Sequence, residues 1–225
     1  MARIALDVLY EDNHLLVVNK PAGIPTQGAE TEGTSLLAVA KAYLKEKYRK
    51  PGNVYLGTVS RLDAAVSGAV VFARTSKAAA RLAEQFRNRK VRKVYWAIVA
   101  GNPAATATCD DWLAKDDARH CMRVVEARSA GAVPARLAYR RLKRVGRGWL
   151  LEVTLETGRK HQIRAQLGAR SLPILGDRKY GSREAFPRGI ALHSRLLELT
   201  HPTRGEPMTF LADPPAAWHR TGYGA

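Results

Sequence analysis

A carboxylate held where a buried strand begins can act as a nucleophile or a base. The stretch Val59-Ser60-Arg61-Leu62-Asp63-Ala64-Ala65-Val66-Ser67-Gly68 offers one, because it runs directly into the apolar Ala69-Val70-Val71-Phe72-Ala73. A short Ser-Gly turn before such a strand fixes the orientation of the side chain that precedes it. A single Asp in a turn is ordinarily a cap or a solvated loop residue, so spacing alone leaves both roles open for Asp63. Two further clusters bear on chemistry. From Arg87 to Lys93 the chain carries five cations in seven residues and then enters Val94-Tyr95-Trp96-Ala97-Ile98-Val99. Such a run suits a solvated surface or phosphate contacts. On a strand Tyr95 shares a face with Lys93 and Ala97, where a tyrosine by default packs a core or an edge. The second cluster, Leu155-Glu156-Thr157-Gly158-Arg159-Lys160-His161-Gln162-Ile163-Arg164, reads as a strand end, a glycine turn and a helix start. In that helix Ile163 and Leu167 face the core, while Lys160 and Arg164 fall four apart on a neighbouring face. By themselves Arg159 and Lys160 read as a basic helix start on a surface. No phosphate-cradling glycine loop, metal-ligand spacing or Ser-His-Asp grouping accompanies these clusters.

Together these stretches resemble the RluA-type pseudouridine synthases. Arg61-Leu62-Asp63, then Ser67-Gly68 and an apolar strand, is similar to the family's His-Arg-Leu-Asp-x-x-Thr-Ser-Gly, with Ser60 in place of the His and Val66 in place of the Thr. Asn19-Lys20-Pro21-Ala22-Gly23 resembles its Asn-Lys-Pro-x-Gly opening, and Lys93-Val94-Tyr95 its Lys-x-Tyr strand. The run from Thr157 to Arg164 resembles Thr-Gly-Arg-Thr-His-Gln-Ile-Arg, with Lys160 in place of the second Thr. Pro173 to Gly181, Leu192-His193-Ser194, His201-Pro202 and Pro214-Pro215 match further blocks in order, so the likeness runs from about residue 14 to 215.

The resemblance implies an α+β pseudouridine synthase fold: a mixed, mainly antiparallel sheet in two lobes with helices and an active-site cleft between them. It implies one catalytic domain over residues 1–225, without an N-terminal accessory RNA-binding module, that isomerises specific uridines in structured ribosomal or transfer RNA. Asp63 is then the nucleophile, Tyr95 lies against the uracil ring as the candidate for moving a proton, and Arg164 pairs with the Asp63 carboxylate. Such a pair would keep the acid ionised and aim its oxygens. Arg61, Arg92, Lys93, Lys160 and His161 form the implied RNA-binding set, with Arg61 able to fill the gap left by a flipped nucleotide. Isomerisation moves no electrons and consumes no water, so no cofactor and no metal is expected. Two competing readings remain. One is a catalytically silent RNA-binding protein, supported only by Ser60 and Val66. The other is a glycoside hydrolase, against which stand the lack of an acidic partner motif and a charge unsuited to neutral sugars.

Composition agrees with an RNA partner. The 225 residues suffice for one sizeable domain or two small lobes, and 46% are hydrophobic. Thirty-seven Lys and Arg against 20 Asp and Glu give a formal charge of +17 and a pI near 10.3. That field favours a polyanion; adaptation to host ionic conditions or attraction to anionic membranes would also produce it. No apolar run approaches the ~18 residues of a membrane span, and Asp7 follows Met1 too closely for a signal peptide. A cytoplasmic monomer is expected. Cys109 and Cys121, without Cys-x-x-Cys spacing, read as reduced thiols in or near the core.

The elements that must position these residues follow from periodicity. His14 to Asn19 reads as a buried strand, stopped by Lys20-Pro21-Ala22-Gly23-Ile24-Pro25. Thr34 or Ser35 caps a helix through Leu36, Leu37, Val39, Ala40, Tyr43 and Leu44 that ends by Lys50-Pro51-Gly52. The strand after Gly68 is apolar on both alternations and hence central. Ser76 caps a helix from Lys77 to about Arg89, with Ala78, Leu82 and Phe86 facing that strand. Residues about 100 to 120 read as a turn-rich link between two lobes. Met122 to Glu126, Pro134 to Val145 and Trp149 to Glu156 read as antiparallel strands, the last with one wet face, which argues for α+β over a doubly wound parallel fold.

Overall fold

The structure, a computed structural model, describes residues 5–28 and 35–218. The proposed cap Thr34 and the reading of residues 1–4 lie outside them. In chain order the elements are β1 (Asp7–Glu11), β2 (Leu15–Lys20), α1 (Leu36–Lys47), β3 (Gly57–Thr58), β4 (Ser67–Ala73), α2 (Ser76–Arg87), β5 (Arg92–Val99) and β6 (Thr106–Asp116). Then come β7 (Cys121–Val125), β8 (Val133–Val145), β9 (Gly148–Leu155), α3 (Gln162–Gly168), a 3-10 turn at Arg178–Tyr180, β10 (Leu192–Thr200), β11 (Pro207–Leu211) and α4 (Ala216–Trp218). The chain divides into two compact units, one of residues 1–91 and 194–213, the other of residues 92–193 and 214–225.

In the first unit β1, β2 and β4 lie side by side as antiparallel neighbours, β3 pairs with the end of β4, and β10 pairs with β11. All seven residues of β4 are buried, and its alternation explains why. Ala69, Val71 and Ala73 pack with Leu15, Val17 and the α2 residues Ala78 and Leu82. Val70 and Phe72 point the other way, to Leu16, Val18 and the α1 residues Leu36, Ala40 and Leu44. Each Val, Leu or Phe side chain among these taken from water stabilises the fold by about 1.5–3 kcal/mol, so the strand after Asp63 is a firm base. Ser35 caps α1, accepting from the Ala38 amide. The cap of α2 is Thr75, not Ser76: extended at φ −137°, it accepts from the Ala78 amide, which moves the helix start one residue earlier than expected.

In the second unit the strands run β5-β9-β8-β6-β7, each pair antiparallel. Along β9, Leu151, Val153 and Leu155 are buried while Glu152 and Thr154 are half-buried, the alternation expected of a sheet with one wet side. On the covered side Leu113, Met122 and Ala135 pack against Ala165 of α3. The turn-rich link expected over about 100 to 120 is largely β6, which pairs with β8 from Thr106↔Arg140 to Leu113↔Val133. The division between units falls instead after Val91 and after His193. The acids and alanines of β6 carry little strand propensity of their own, so its conformation is imposed by two neighbouring strands. The helix after the glycine turn also starts later than expected, at Gln162, so Lys160 precedes it and shares no helix face with Arg164. Cys109 and Cys121 are buried and free. Among the described residues no helix is long and apolar enough to cross a membrane.

Candidate active site

In the first unit the candidate nucleophile Asp63 stands half-buried at the last step before a two-residue turn into β4. Its backbone is clamped on both sides. The Thr26 hydroxyl accepts from the Leu62 amide at 3.0 Å and donates to the Leu62 carbonyl at 2.8 Å. On the other side the Ala64 carbonyl accepts from the Gly23 amide at 2.7 Å and from the Lys20 ammonium at 3.2 Å. The Asp63 carbonyl itself closes the turn, accepting from the Val66 amide at 3.0 Å. None of these bonds uses the carboxylate.

Lys20 is the unusual member of this group. It is fully buried, and its ammonium also donates to the carbonyls of Pro21, at 3.0 Å, and Ile24, at 2.8 Å. The cation is thus held by three carbonyls, two from the turn that follows it and one from the loop of Asp63. Burial pushes the Lys20 pKa down to about 8, opposed by the negative charge of Asp63. Gly68 is required for a different reason. At φ +117° it occupies a region L side chains rarely adopt, and a Cβ there would run into the Ser194 backbone. Val66 is buried and Ser60 half-buried, while Arg61 is exposed.

In the second unit Tyr95 lies half-buried on β5, opposite Val153 of β9. Arg92 is exposed at the start of that strand. The Lys93 ammonium lies 3.6 Å from where a Cβ on Gly158 would sit, which brings the Lys-x-Tyr strand against the Thr157-Gly158 turn. That turn is wired to β8. The Thr157 hydroxyl accepts from the Arg136 amide at 2.9 Å and donates to the Gln162 side-chain oxygen at 2.7 Å, which also receives the Arg159 amide at 3.0 Å. Lys160 is exposed; His161 is half-buried with a left-handed backbone at φ 53°.

The wiring delivers Arg164, which is only 8% exposed. Its guanidinium donates twice to Asp177, Nε to Oδ2 at 2.7 Å and Nη2 to Oδ1 at 2.9 Å. It also stacks over the Tyr180 ring with the guanidinium carbon 4.9 Å from the centroid. The Tyr180 hydroxyl accepts from the Met122 amide at 2.9 Å and meets the His161 Nδ1 at 2.8 Å. Burial pushes the Tyr180 pKa up to about 12, so the phenol stays protonated. Arg164 is therefore a buried, paired cation, not a surface one.

Sequence reasoning missed Lys20, Thr26, Asp177 and Tyr180 as positioning groups. Lys20 was marked by its Lys-Pro-x-Gly turn, and Asp177 and Tyr180 lie inside the block from Pro173 to Gly181. Thr26 carries no sequence signal. Among the described residues no group of three or more His, Cys, Asp or Glu could hold a metal.

Comparison with known proteins identifies the family. Residues 14–169 match the model of a family described as RNA pseudouridylate synthase. An uncharacterized RNA pseudouridine synthase of Synechocystis sp. is 36% identical over 226 residues, 96% of this chain and 68% of that protein. Ribosomal large subunit pseudouridine synthase D of Yersinia pestis is 33% identical over 224 residues, 93% of this chain and 67% of its own length. Among solved structures, human RNA pseudouridylate synthase domain containing 4 superposes with a TM-score of 0.77 at 27% identity, covering 96% of this chain and 92% of that one. The chain belongs to this family, the RluA-type RNA pseudouridine synthases, and is an isomerase of uridine in RNA.

Proposed function

We propose that Asp63 is the nucleophile with which this synthase converts uridine to pseudouridine in ribosomal RNA of the large subunit. The observation that carries the assignment is the main-chain clamp around Asp63, in which Thr26, Gly23 and Lys20 hold its two neighbours. A carboxylate whose backbone is fixed on both sides meets a reacting atom without ordering itself first. The choice of RNA follows the name of the Yersinia pestis relative, and an RNA-processing role fits a cytoplasmic monomer.

The isomerisation breaks the bond from the sugar carbon to the uracil nitrogen, turns the base, and joins the same sugar carbon to a ring carbon, which gives up its proton while the freed ring nitrogen takes one. Asp63 in its ionised form supplies the negative oxygen that meets the sugar as the base departs. Arg164 is the cation of the set, and Asp177 holds the Nε–Nη2 edge of its planar fork. Tyr95 lies against the detached ring and moves the proton. The target sugar cannot be reached in a stacked helix, so the nucleotide flips out, at a cost of a few kcal/mol, and Arg61 fills its place. Arg92, Lys93, Lys160 and His161 hold the flanking RNA.

Asp63→Asn tests the assignment. The amide preserves shape but removes the nucleophilic charge, so pseudouridine formation at saturating RNA should vanish while thermal stability and RNA affinity stay near wild type. Appreciable single-turnover conversion by this variant would sink the nucleophile assignment.

A further inference from the structure

Outside the residues so far assigned to RNA, one segment of the second unit concentrates charge more than any other. From Ala127 to Leu151 there is no Asp or Glu and there are seven cations. Five of these stand at the far end of the β8–β9 hairpin, and its geometry sorts them. Arg140 pairs across the strands with Glu152 at 3.0 Å. Arg141 donates to the Pro103 carbonyl at 2.9 Å and lies over the Trp149 ring, 4.3 Å from its centroid. These two serve the fold. Lys143, Arg144 and Arg147 are exposed, and the hairpin tip holds no acid to neutralise them.

Two features of the backbone fix how the three are displayed. The β8–β9 register slips between Arg141↔Leu151 and Lys143↔Leu150, so Leu142 is an extra, bulged residue. In unbroken register Leu142 would pair with Leu150 and Lys143 would lie on the face of Trp149; the slip instead pairs Lys143 with Leu150, on the face of Arg140, and Arg144 with Trp149, on the face of Arg141. The tip therefore presents cations to both sides. The turn itself has two residues, Gly146 and Arg147, between the paired Val145 and Gly148. Gly146 stands at φ 57°, the glycine-first pattern of a tight hairpin that holds its flanks rigidly. Binding through such a tip costs little ordering.

We propose that this hairpin tip is a second RNA-binding surface that grips the phosphate backbone of structured RNA away from the modified uridine. The inference rests on the reading of the chain as an RNA-modifying enzyme. Phosphates, and not bases, are the ligand because the one aromatic ring of the tip, Trp149, is covered by Arg141 and offers no platform for stacking. Cations without base-reading partners position an RNA and add affinity that is independent of sequence.

The test combines Lys143→Gln, Arg144→Gln and Arg147→Gln in the full chain and measures binding to a folded large-subunit ribosomal RNA transcript across salt concentrations, with single-turnover rates at saturating RNA. Each lost phosphate contact lowers the slope of log affinity against log salt by roughly 0.7–0.9. The triple variant should therefore lose about 2 units of slope and bind about 10–100-fold more weakly near 0.1 M salt. Its saturated rate should stay within about twofold of wild type, because none of the three side chains belongs to the catalytic set. Arg144→Lys with Arg147→Lys, which keeps the charges, should keep the wild-type slope. Wild-type slope and affinity in the triple variant would overturn the proposal, as would an equal loss in the charge-preserving variant. A wild-type chain without salt-dependent RNA binding would instead overturn the functional reading beneath it.

Discussion

Asp63 and Arg164 are positioned by opposite means. The loop of Asp63 is held through its backbone: Thr26 grips Leu62, and Lys20 and Gly23 grip Ala64. Arg164 is held through the side chain itself, by a twofold bond to Asp177 and by the face of Tyr180. A group that must form and break a bond profits from a backbone fixed behind it, because that anchor is kept while the side chain reacts. A group that only supplies charge can be fixed by its head, provided a planar fork is available. Hence the first region should feel mutations in kinetics before stability, and the second in stability first.

The largest effect is expected at the ion pair. Arg164→Ala leaves Asp177, 1% exposed, buried without its cation, which should cost about 3–5 kcal/mol of stability. Arg164→Lys keeps the charge but loses the fork and the stack on Tyr180, and should be milder. Arg164→Met combined with Asp177→Leu removes both charges and should recover much of the loss in chemical denaturation. Activity should stay lost in that double variant. Recovery of turnover along with stability would reduce Arg164 to a structural residue and break the comparison.

Lys20 comes next, because it mixes the two modes. Lys20→Met keeps the stem but strips three carbonyls of a donor, while also relieving the burial of a charge. The net loss should be about 1–3 kcal/mol, with a larger proportional fall in turnover as the loop of Asp63 loosens. The sign of the pH effect is fixed. In the folded chain the Lys20 pKa is pushed down to about 8 by burial, against 10.5 for an ordinary lysine. Between those values the unfolded chain binds more protons, so stability rises with pH. The stability of wild type relative to Lys20→Met should therefore grow from about pH 8 to 10.5. A flat difference across that window would mean that Lys20 keeps its proton when buried.

What could be read in the sequence follows the same divide. The β4 run, the alternation of β9 and the three apolar positions of α2 were legible because burial writes them as periodic side chains. Tyr95 and Arg164 were legible through motifs. By contrast β6 reads as a link because its strand geometry comes from β7 and β8, and β1, β10 and β11 carry no clear signal. Leu196, Leu197 and Leu199 in β10 even favour helix by intrinsic propensity. The anchors of Asp63 were hidden for a related reason. A bond from Thr26 to the backbone of Leu62 spans 36 residues and places no demand on the type of the residue it holds.

The smallest effect makes the sharpest comparison, because one substitution can be made in both regions. Thr26→Val removes a hydroxyl that bonds both the amide and the carbonyl of Leu62. Thr157→Val removes a hydroxyl that bonds the Arg136 amide and the Gln162 side chain. Both threonines are buried, at 2% and 7% exposure, and Val replaces each with nearly the same volume, so each variant should lose about 1–2 kcal/mol. Their kinetics should part. Thr26 grips the residue directly before the nucleophile, and loosening it should lower the single-turnover rate at saturating RNA by about tenfold or more, since small misplacements near a reacting atom are expensive. Thr157 acts on Arg164 only through Gln162 and the start of α3, while Asp177 still holds the guanidinium. Its rate should fall about threefold or less, on the scale of a fraction of one hydrogen bond. Equal stability losses with unequal rates would establish that the backbone clamp is specific to the nucleophile. Equal rate losses would show that the two regions are positioned in one way after all.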